Sequence, residues 1–340
     1  MLLDIAAIIA GFALLVWGAE RFVTGASAIA RNLGISPMVI GLTIVGLGTS
    51  APEILVSAMA ASQGNPGLAI GNAIGSNIAN IGLILGITAV IVPLNVNSNT
   101  LRREYPILLA VSLTTLVLMF DGHLGRLDGM ILLTGLVAIL YWLAHMAMRE
   151  RNGDPLKAEF EAEMPEEMGT SKALLYFAVG LTLLLISSKI LVWGAVNIAT
   201  AFGISDLVIG LTIVALGTSL PELAASIVSA LKNEHDIAIG NVIGSNMYNL
   251  LAVLSVPSLI APGTFDPMAL SRDMPVMIAL TLAVFVMAYG FRGPGRINRF
   301  EGALLVLVFI GYQSSLFFGG STAEAANSNT HLVTSYEQHS

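Results

Sequence analysis

A glutamate in the middle of an apolar run is hard to accommodate in any fold, and this chain carries one twice in the same setting. The stretch GLTIVGLGTSAPE, from Gly41 to Glu53, returns as GLTIVALGTSLPE from Gly210 to Glu222. GNAIGSNIAN, from Gly71 to Asn80, returns as GNVIGSNMYN from Gly240 to Asn249. Both recurrences fall at one offset of 169, and between 39 and 80, 24 of the 42 positions are identical to their counterparts without a gap. The chain is a duplication, and its most similar parts are the least lipid-like.

Composition decides the medium. The 340 residues are 55% hydrophobic and only 11% charged, with a mean hydropathy of +0.82, whereas soluble domains carry ~25% charged residues. This is the composition of an all-α polytopic membrane protein whose main partner is the lipid bilayer; no nucleic-acid or obligate protein partner is evident. No cysteine is present, which excludes a disulfide framework and thiolate chemistry. The apolar start from Leu2 to Val16 has no basic segment before it and stays apolar past Val23, so it reads as a retained first span rather than a leader.

Taking about 20 apolar residues as one span, the sequence predicts helices near 5–30, 37–62, 68–92, 105–120, 128–147, 173–201, 206–231, 237–261, 274–290 and 301–318. That is ten transmembrane helices, five per half: a first repeat over 1–148, an acidic cytoplasmic linker over 149–172, a second repeat over 173–318, and a disordered extracytoplasmic tail over 319–340. The similarity reaches the flanks, since Leu15 to Ala19 (LVWGA) matches Leu191 to Ala195. An odd number of spans per half requires the two copies to lie inverted in the membrane. Charge agrees: the loops after odd-numbered spans hold eleven Lys and Arg, from Arg31 to Arg299, and the other side holds only Arg126 and Arg272. The positive-inside rule then places both termini outside, in a cell membrane of the bacterial inner-membrane kind. Arg21 reads as a snorkelling cation, and Lys189, deeper in its span, has no evident partner.

Glu53 and Glu222 each fall sixteen residues into a span, near mid-membrane, where an uncompensated carboxylate costs at least ~2.5–3.5 kcal/mol. Neither motif contains a cation to pair with it. Thr49 and Glu53 are spaced to share a helical face, as are Ser76 and Asn80, Thr218 and Glu222, and Ser245 and Asn249. Pro52 and Pro221 remove a backbone N–H each, which frees the carbonyls of Gly48 and Gly217 and disturbs the turns around Gly46 and Ala215. Carboxylate, amide, hydroxyl and carbonyl oxygens are what hard cations such as Ca²⁺ take, and no zinc or copper ligand pattern accompanies them. Two glutamates carry −2, which one Ca²⁺ neutralises and three Na⁺ bring to +1. Ser57 and Ser226 read as packing or back-bonding hydroxyls, Gly71 to Gly75 as a close-packing surface, and Asn72 and Asn241 as interhelical hydrogen-bond donors.

The motifs GTSAPE with GSNIAN, and GTSLPE with GSNMYN, resemble those of the calcium/cation antiporter superfamily, whose Na⁺/Ca²⁺ exchangers carry two inverted repeats. The resemblance covers nearly the whole chain to Phe318, and the lack of a large central domain is similar to the prokaryotic members. It implies that Thr49, Ser50, Glu53, Thr218, Ser219 and Glu222 bind the transported ions. The carbonyls of Gly46 and Ala215 and the side chains of Ser76, Ser245, Asn80 and Asn249 would complete the sites. Relatives that co-transport K⁺ have Asp where this chain has Asn249, so K⁺ coupling is not expected.

The reading is therefore a secondary antiporter exchanging Ca²⁺ for Na⁺ by alternating access, with both ions as substrates and no cofactor. A Ca²⁺/H⁺ exchanger is the alternative, because protons neutralise the same glutamates. An intramembrane hydrolase using Ser50 or Ser219 is disfavoured, since the histidines at 123, 145, 235, 331 and 339 and the lysines recur beside neither serine.

Overall fold

In a membrane every backbone polar group must be satisfied within the chain, and the computed structural model of the protein is accordingly almost all helix. It describes residues 1–340 other than 36, 65, 97, 151–167, 203–214, 290–294 and 317–340. The expected disordered tail, most of the linker and the start of the seventh predicted span lie outside the described residues.

Helix α1 (Leu2–Leu33) ends on Gly34 in the left-handed conformation, φ 63°, the usual way to stop a helix where a Cβ would clash. Pro37–Ile40, the π-helical Gly41–Val45 and Gly46–Thr49 together make α2, and α3 is Ala51–Ser62. Then follow α4 (Pro66–Ile91), α5 (Ser98–Met119), α6 (Arg126–Glu150), α7 (Thr170–Ala201), α8 (Ala215–Thr218), α9 (Leu220–Leu231), α10 (His235–Ile260), α11 (Ala269–Ala288) and α12 (299–316). Two-residue strands tie the halves together: β1 (Leu94–Asn95) pairs antiparallel with β4 (Arg296–Ile297), and β2 (His123–Leu124) with β3 (Gly263–Thr264).

Among the described residues, six helices are long and apolar enough to cross a membrane, or seven when α2 and α3 are taken as one bent span. The apolar parts of α5 (Glu104–Met119) and α9 are shorter. Centre and periphery are clear from burial. The most hydrophobic 18-residue windows of α10 and α4 are 94% and 72% buried, whereas those of α1, α6, α7 and α11 are 17–28% buried. The central pair holds the repeated GSN motifs, and the lipid-facing helices screen it.

Helices α1 and α7 pack along their whole length in opposite directions. Gly11 of α1 lies against Leu191, Gly18 against Leu183, and Gly25 against the backbone of Phe177 and Ala173; from the other side Gly180 meets the backbone of Phe22 and Gly194 that of Asp4. Glycines seven apart on α1 line one face and let the two backbones approach, which is how membrane helices associate when no hydrophobic effect drives them together. At one end of the pair Asn197 donates to Asp4 (2.9 Å). Farther along, the Arg21 guanidinium lies over Trp17 and Tyr176 (5.3 and 4.9 Å), consistent with a cation drawn toward the interface. Lys189 is exposed on the outer face of α7.

Candidate cation site

Each glutamate motif ends in a helix break. The span expected to be continuous over 37–62 bends by 42° between α2 and α3, because Ser50 leaves helical geometry (φ −80°, ψ 4°) and Pro52 at the second helical position of α3 has no N–H to give. Ser219 does the same in the second half (φ −89°, ψ 4°), followed by Pro221 on α9. Thr49 and Glu53 are therefore not on one unbroken helical face, as their spacing suggested: they lie on either side of the break, and so do Thr218 and Glu222. Glu53 and Glu222 occupy the first turns of α3 and α9, where free N–H groups favour negative charge.

The two breaks face one another reciprocally. Glu53 is 1% exposed and Glu222 2%. The hydroxyls of Thr218 and Ser219 approach the Glu53 carboxylate, and those of Thr49 and Ser50 approach Glu222; Ser50 Oγ donates to Glu222 Oε1 at 3.3 Å. Each half thus supplies hydroxyls to the other half's carboxylate. Beneath the breaks, Asn72 Nδ2 donates to the Glu53 carbonyl (3.1 Å) and to Ser57 Oγ (3.0 Å), and Asn241 Nδ2 to the Glu222 carbonyl (3.2 Å) and Ser226 Oγ (2.9 Å). The asparagines hold the breaks from the neighbouring helix, as the sequence suggested. Ser57 and Ser226 are their acceptors rather than the packing residues they resembled.

The remaining motif residues sit on α4 and α10. Asn80 begins a π-helical segment (Asn80–Leu85) that packs against α9, and Asn249 begins another (Asn249–Val253) that packs against α3. Single π turns widen a helix and re-aim its side chains. Ser76, Ser245, Asn80 and Asn249 are all buried. Asn80 Nδ2 donates to Asn246 Oδ1 (3.0 Å), and Asn77 Nδ2 to the Asn246 carbonyl (3.2 Å). The Gly46 carbonyl accepts the Ser50 N–H at 3.1 Å and lies 3.3 Å from the Thr49 hydroxyl, so it is more engaged than an opened turn implied; Ala215 begins α8. Gly240 and Gly244 pack on Met38, Gly41 and Leu42, but Gly71 and Gly75 meet nothing within 4 Å among the described residues. The counterparts of Met38, Gly41 and Leu42 lie outside them.

What remains is a set of buried oxygens without hydrogen-bond donors: both carboxylate oxygens of Glu53, Oε2 of Glu222, Oδ1 of Asn80 and Asn249, and the hydroxyls of Ser219 and Ser245. Carboxylate and amide oxygens only accept, and leaving one buried and unmet costs about 1–3 kcal/mol, more for a charge. A hard cation satisfies several such oxygens at once and offsets the mutual repulsion of the two carboxylates. Among the described residues no group of three or more His, Cys, Asp or Glu side chains gathers; the other unpartnered oxygens of this set are amide and hydroxyl oxygens.

Sequence reasoning missed three residues here. Ser188 on α7 donates to the Gly217 carbonyl (2.5 Å), the carbonyl that Pro221 frees; no duplicated motif contains it. Asn77 and Asn246 stand in plain view within the repeated GSN triplets, but the sequence reading takes Ser76, Asn80, Ser245 and Asn249 as ligands and passes over the asparagines between them.

The model of the sodium/calcium exchanger protein family matches residues 3–144 and 172–318. The chain belongs to the sodium/calcium exchanger family. It is 52% identical over 310 residues to the putative antiporter CaxA of Alkalimonas amylolytica, covering 91% of this chain and 97% of that protein. It is 32% identical over 344 residues to the sodium/calcium exchanger MaX1 of Methanosarcina acetivorans, with the same coverage. Among solved structures it superposes on the sodium-calcium exchanger NCX_Mj with a TM-score of 0.79 at 34% identity, covering 93% of this chain and 99% of that one. This member of the exchanger family is a multi-pass membrane protein, as its apolar helices require.

Proposed function

We propose that this exchanger is a secondary antiporter that carries Ca²⁺ one way and Na⁺ the other, binding both between the two helix breaks. One observation carries the reading: two fully buried glutamates from equivalent motifs, each facing the hydroxyls of the other half, with most of their carboxylate oxygens unpartnered. The family and the names of MaX1 and NCX_Mj point the same way. Thr49, Ser50, Glu53, Ser76, Asn80, Thr218, Ser219, Glu222, Ser245 and Asn249 are the proposed ligands, with the Gly46 and Ala215 carbonyls.

The proposed architecture is ten spans in two inverted repeats of five, with both termini outside the cell membrane. The antiparallel pairing of α1 with α7, whose LVWGA segments match, supports inversion. So does the approach of each half's Thr and Ser hydroxyls to the other half's glutamate. A site carrying −2 is costly to reorient empty through a low-dielectric barrier, so the protein exchanges ions instead of leaking them.

The test is ⁴⁵Ca²⁺ flux into proteoliposomes under an imposed Na⁺ gradient, set against a pH gradient of matched size. The expected result is Na⁺-driven, K⁺-independent, voltage-sensitive flux. Flux driven only by the pH gradient would replace this reading with Ca²⁺/H⁺ exchange.

A further inference from the structure

The two halves of the cation site are not supported alike, and the difference lies in an asparagine outside the proposed ligand set. For an amide to offer Oδ1 to a cation, its NH₂ must point away and be accepted by something else. Asn80 meets that condition: its Nδ2 donates to Asn246 Oδ1 at 3.0 Å, while its own Oδ1 is buried and unpartnered. Asn246 is itself 1% exposed, and its carbonyl takes the Asn77 amide at 3.2 Å. The counterpart relation is not repeated. Asn77 spends its amide on that carbonyl and on Met277 Sδ (3.4 Å), and its Oδ1 accepts nothing, so it does not restrain Asn249.

We propose that Asn246 is a positioning residue for the cation site, fixing the Asn80 amide with its oxygen turned toward the ions, and that Asn249 lacks this restraint. Asn246 reaches across from α10 to α4, so the second half sets the orientation of a first-half ligand. Asn80 becomes a preorganised oxygen, whereas Asn249 orients only when a cation draws it. Outer partners that orient a ligand in this way typically change metal affinity about 10- to 100-fold when removed.

This inference rests on the proposed cation site, and the experiment separates the two. The half-saturating Ca²⁺ concentration for thermal stabilisation is measured for the detergent-purified full chain, for Asn246→Leu, for Asn80→Ala and for the double variant. Asn246→Leu is expected to raise it about 10- to 100-fold, as Asn80→Ala does, and the double variant is expected to be no weaker than the weaker single one. Asn246→Asp keeps an acceptor and is expected to retain Ca²⁺ stabilisation together with its dependence on Asn80. Should Asn246→Leu not fold, Asn246→Ser, too short to reach Asn80, replaces it. Effects of positions 246 and 80 that multiply, an unchanged half-saturation in both Asn246→Leu and Asn246→Ser, or loss of Ca²⁺ stabilisation in Asn246→Asp would overturn the assignment. A parent protein that gains no stability from Ca²⁺ would instead sink the cation-site reading itself.

Discussion

Ser188 on α7 donates a 2.5 Å hydrogen bond to the carbonyl oxygen of Gly217, the acceptor that Pro221, four residues on, leaves without its helical donor. The bond joins a peripheral helix to the turn that carries Thr218 and Ser219, the two hydroxyls facing Glu53. At the matching place in α1, Phe12 stands where Ser188 would be, so only one of the two breaks is tied in this way. Replacing Ser188 by Ala strands a carbonyl and is expected to cost about 1–3 kcal/mol. Thermal melts should show it, with slower Ca²⁺ flux in the same variant. A melt and flux equal to the parent's would mean that the bond holds nothing.

The α1–α7 pair sets a second expectation. A side chain on Gly25 would run into the Phe177 backbone, and one on Gly180 into that of Phe22, neither of which is able to move aside as a flexible side chain does. Gly25→Leu or Gly180→Leu is therefore expected to separate the helices and abolish a monodisperse, cooperatively melting protein. At Gly311, where nothing lies within 4 Å among the described residues, Leu should be tolerated. Equal tolerance at all three positions would contradict the close approach.

Inversion of the repeats is open to labelling, since the chain has no native cysteine. Gln63 and Lys232 are counterparts at the 169 offset, each exposed and each just before a residue in the left-handed region, Gly64 at φ 75° and Asn233 at φ 62°. Cysteines belong at 63 and 232 because the left-handed positions are strained by most side chains. An impermeant maleimide is expected to reach Gln63→Cys only from outside and Lys232→Cys only from the cytoplasmic side. Labelling of both from one face would end the inverted-repeat account.

How far the sequence carried the structure follows from what is periodic. Repetition exposed Glu53, Glu222 and their hydroxyl neighbours, because a duplicated polar motif stands out against apolar sequence. Among the described residues, hydropathy placed the helices to within several residues, from Leu2 to the segment at 299–316, while the start of the seventh expected span lies outside them. The breaks at Ser50 and Ser219 were legible only in part: Pro52 and Pro221 announced a missing hydrogen bond, but not that the helix would restart one residue before the proline. The π turns at Asn80 and Asn249 left no trace, since they depend on tertiary packing against α9 and α3. Ser188 and Asn246 act across helices far apart in sequence, and residues of their kind are common in membrane helices without any such role.

The account turns on Glu53 and Glu222 forming the Ca²⁺ site. Glu→Gln keeps the shape and removes the charge, so each variant should fold as stably as the ion-free parent or slightly better, an uncompensated buried carboxylate being gone. The decisive measurement is the thermal unfolding of the parent, Glu53→Gln and Glu222→Gln in detergent, with and without Ca²⁺. The parent is expected to gain about 2.7 kcal/mol when Ca²⁺ is present at 100 times its dissociation constant, while neither variant gains stability or carries ⁴⁵Ca²⁺. Ca²⁺-dependent stabilisation and flux surviving in Glu53→Gln would contradict the claim that these two carboxylates make the site.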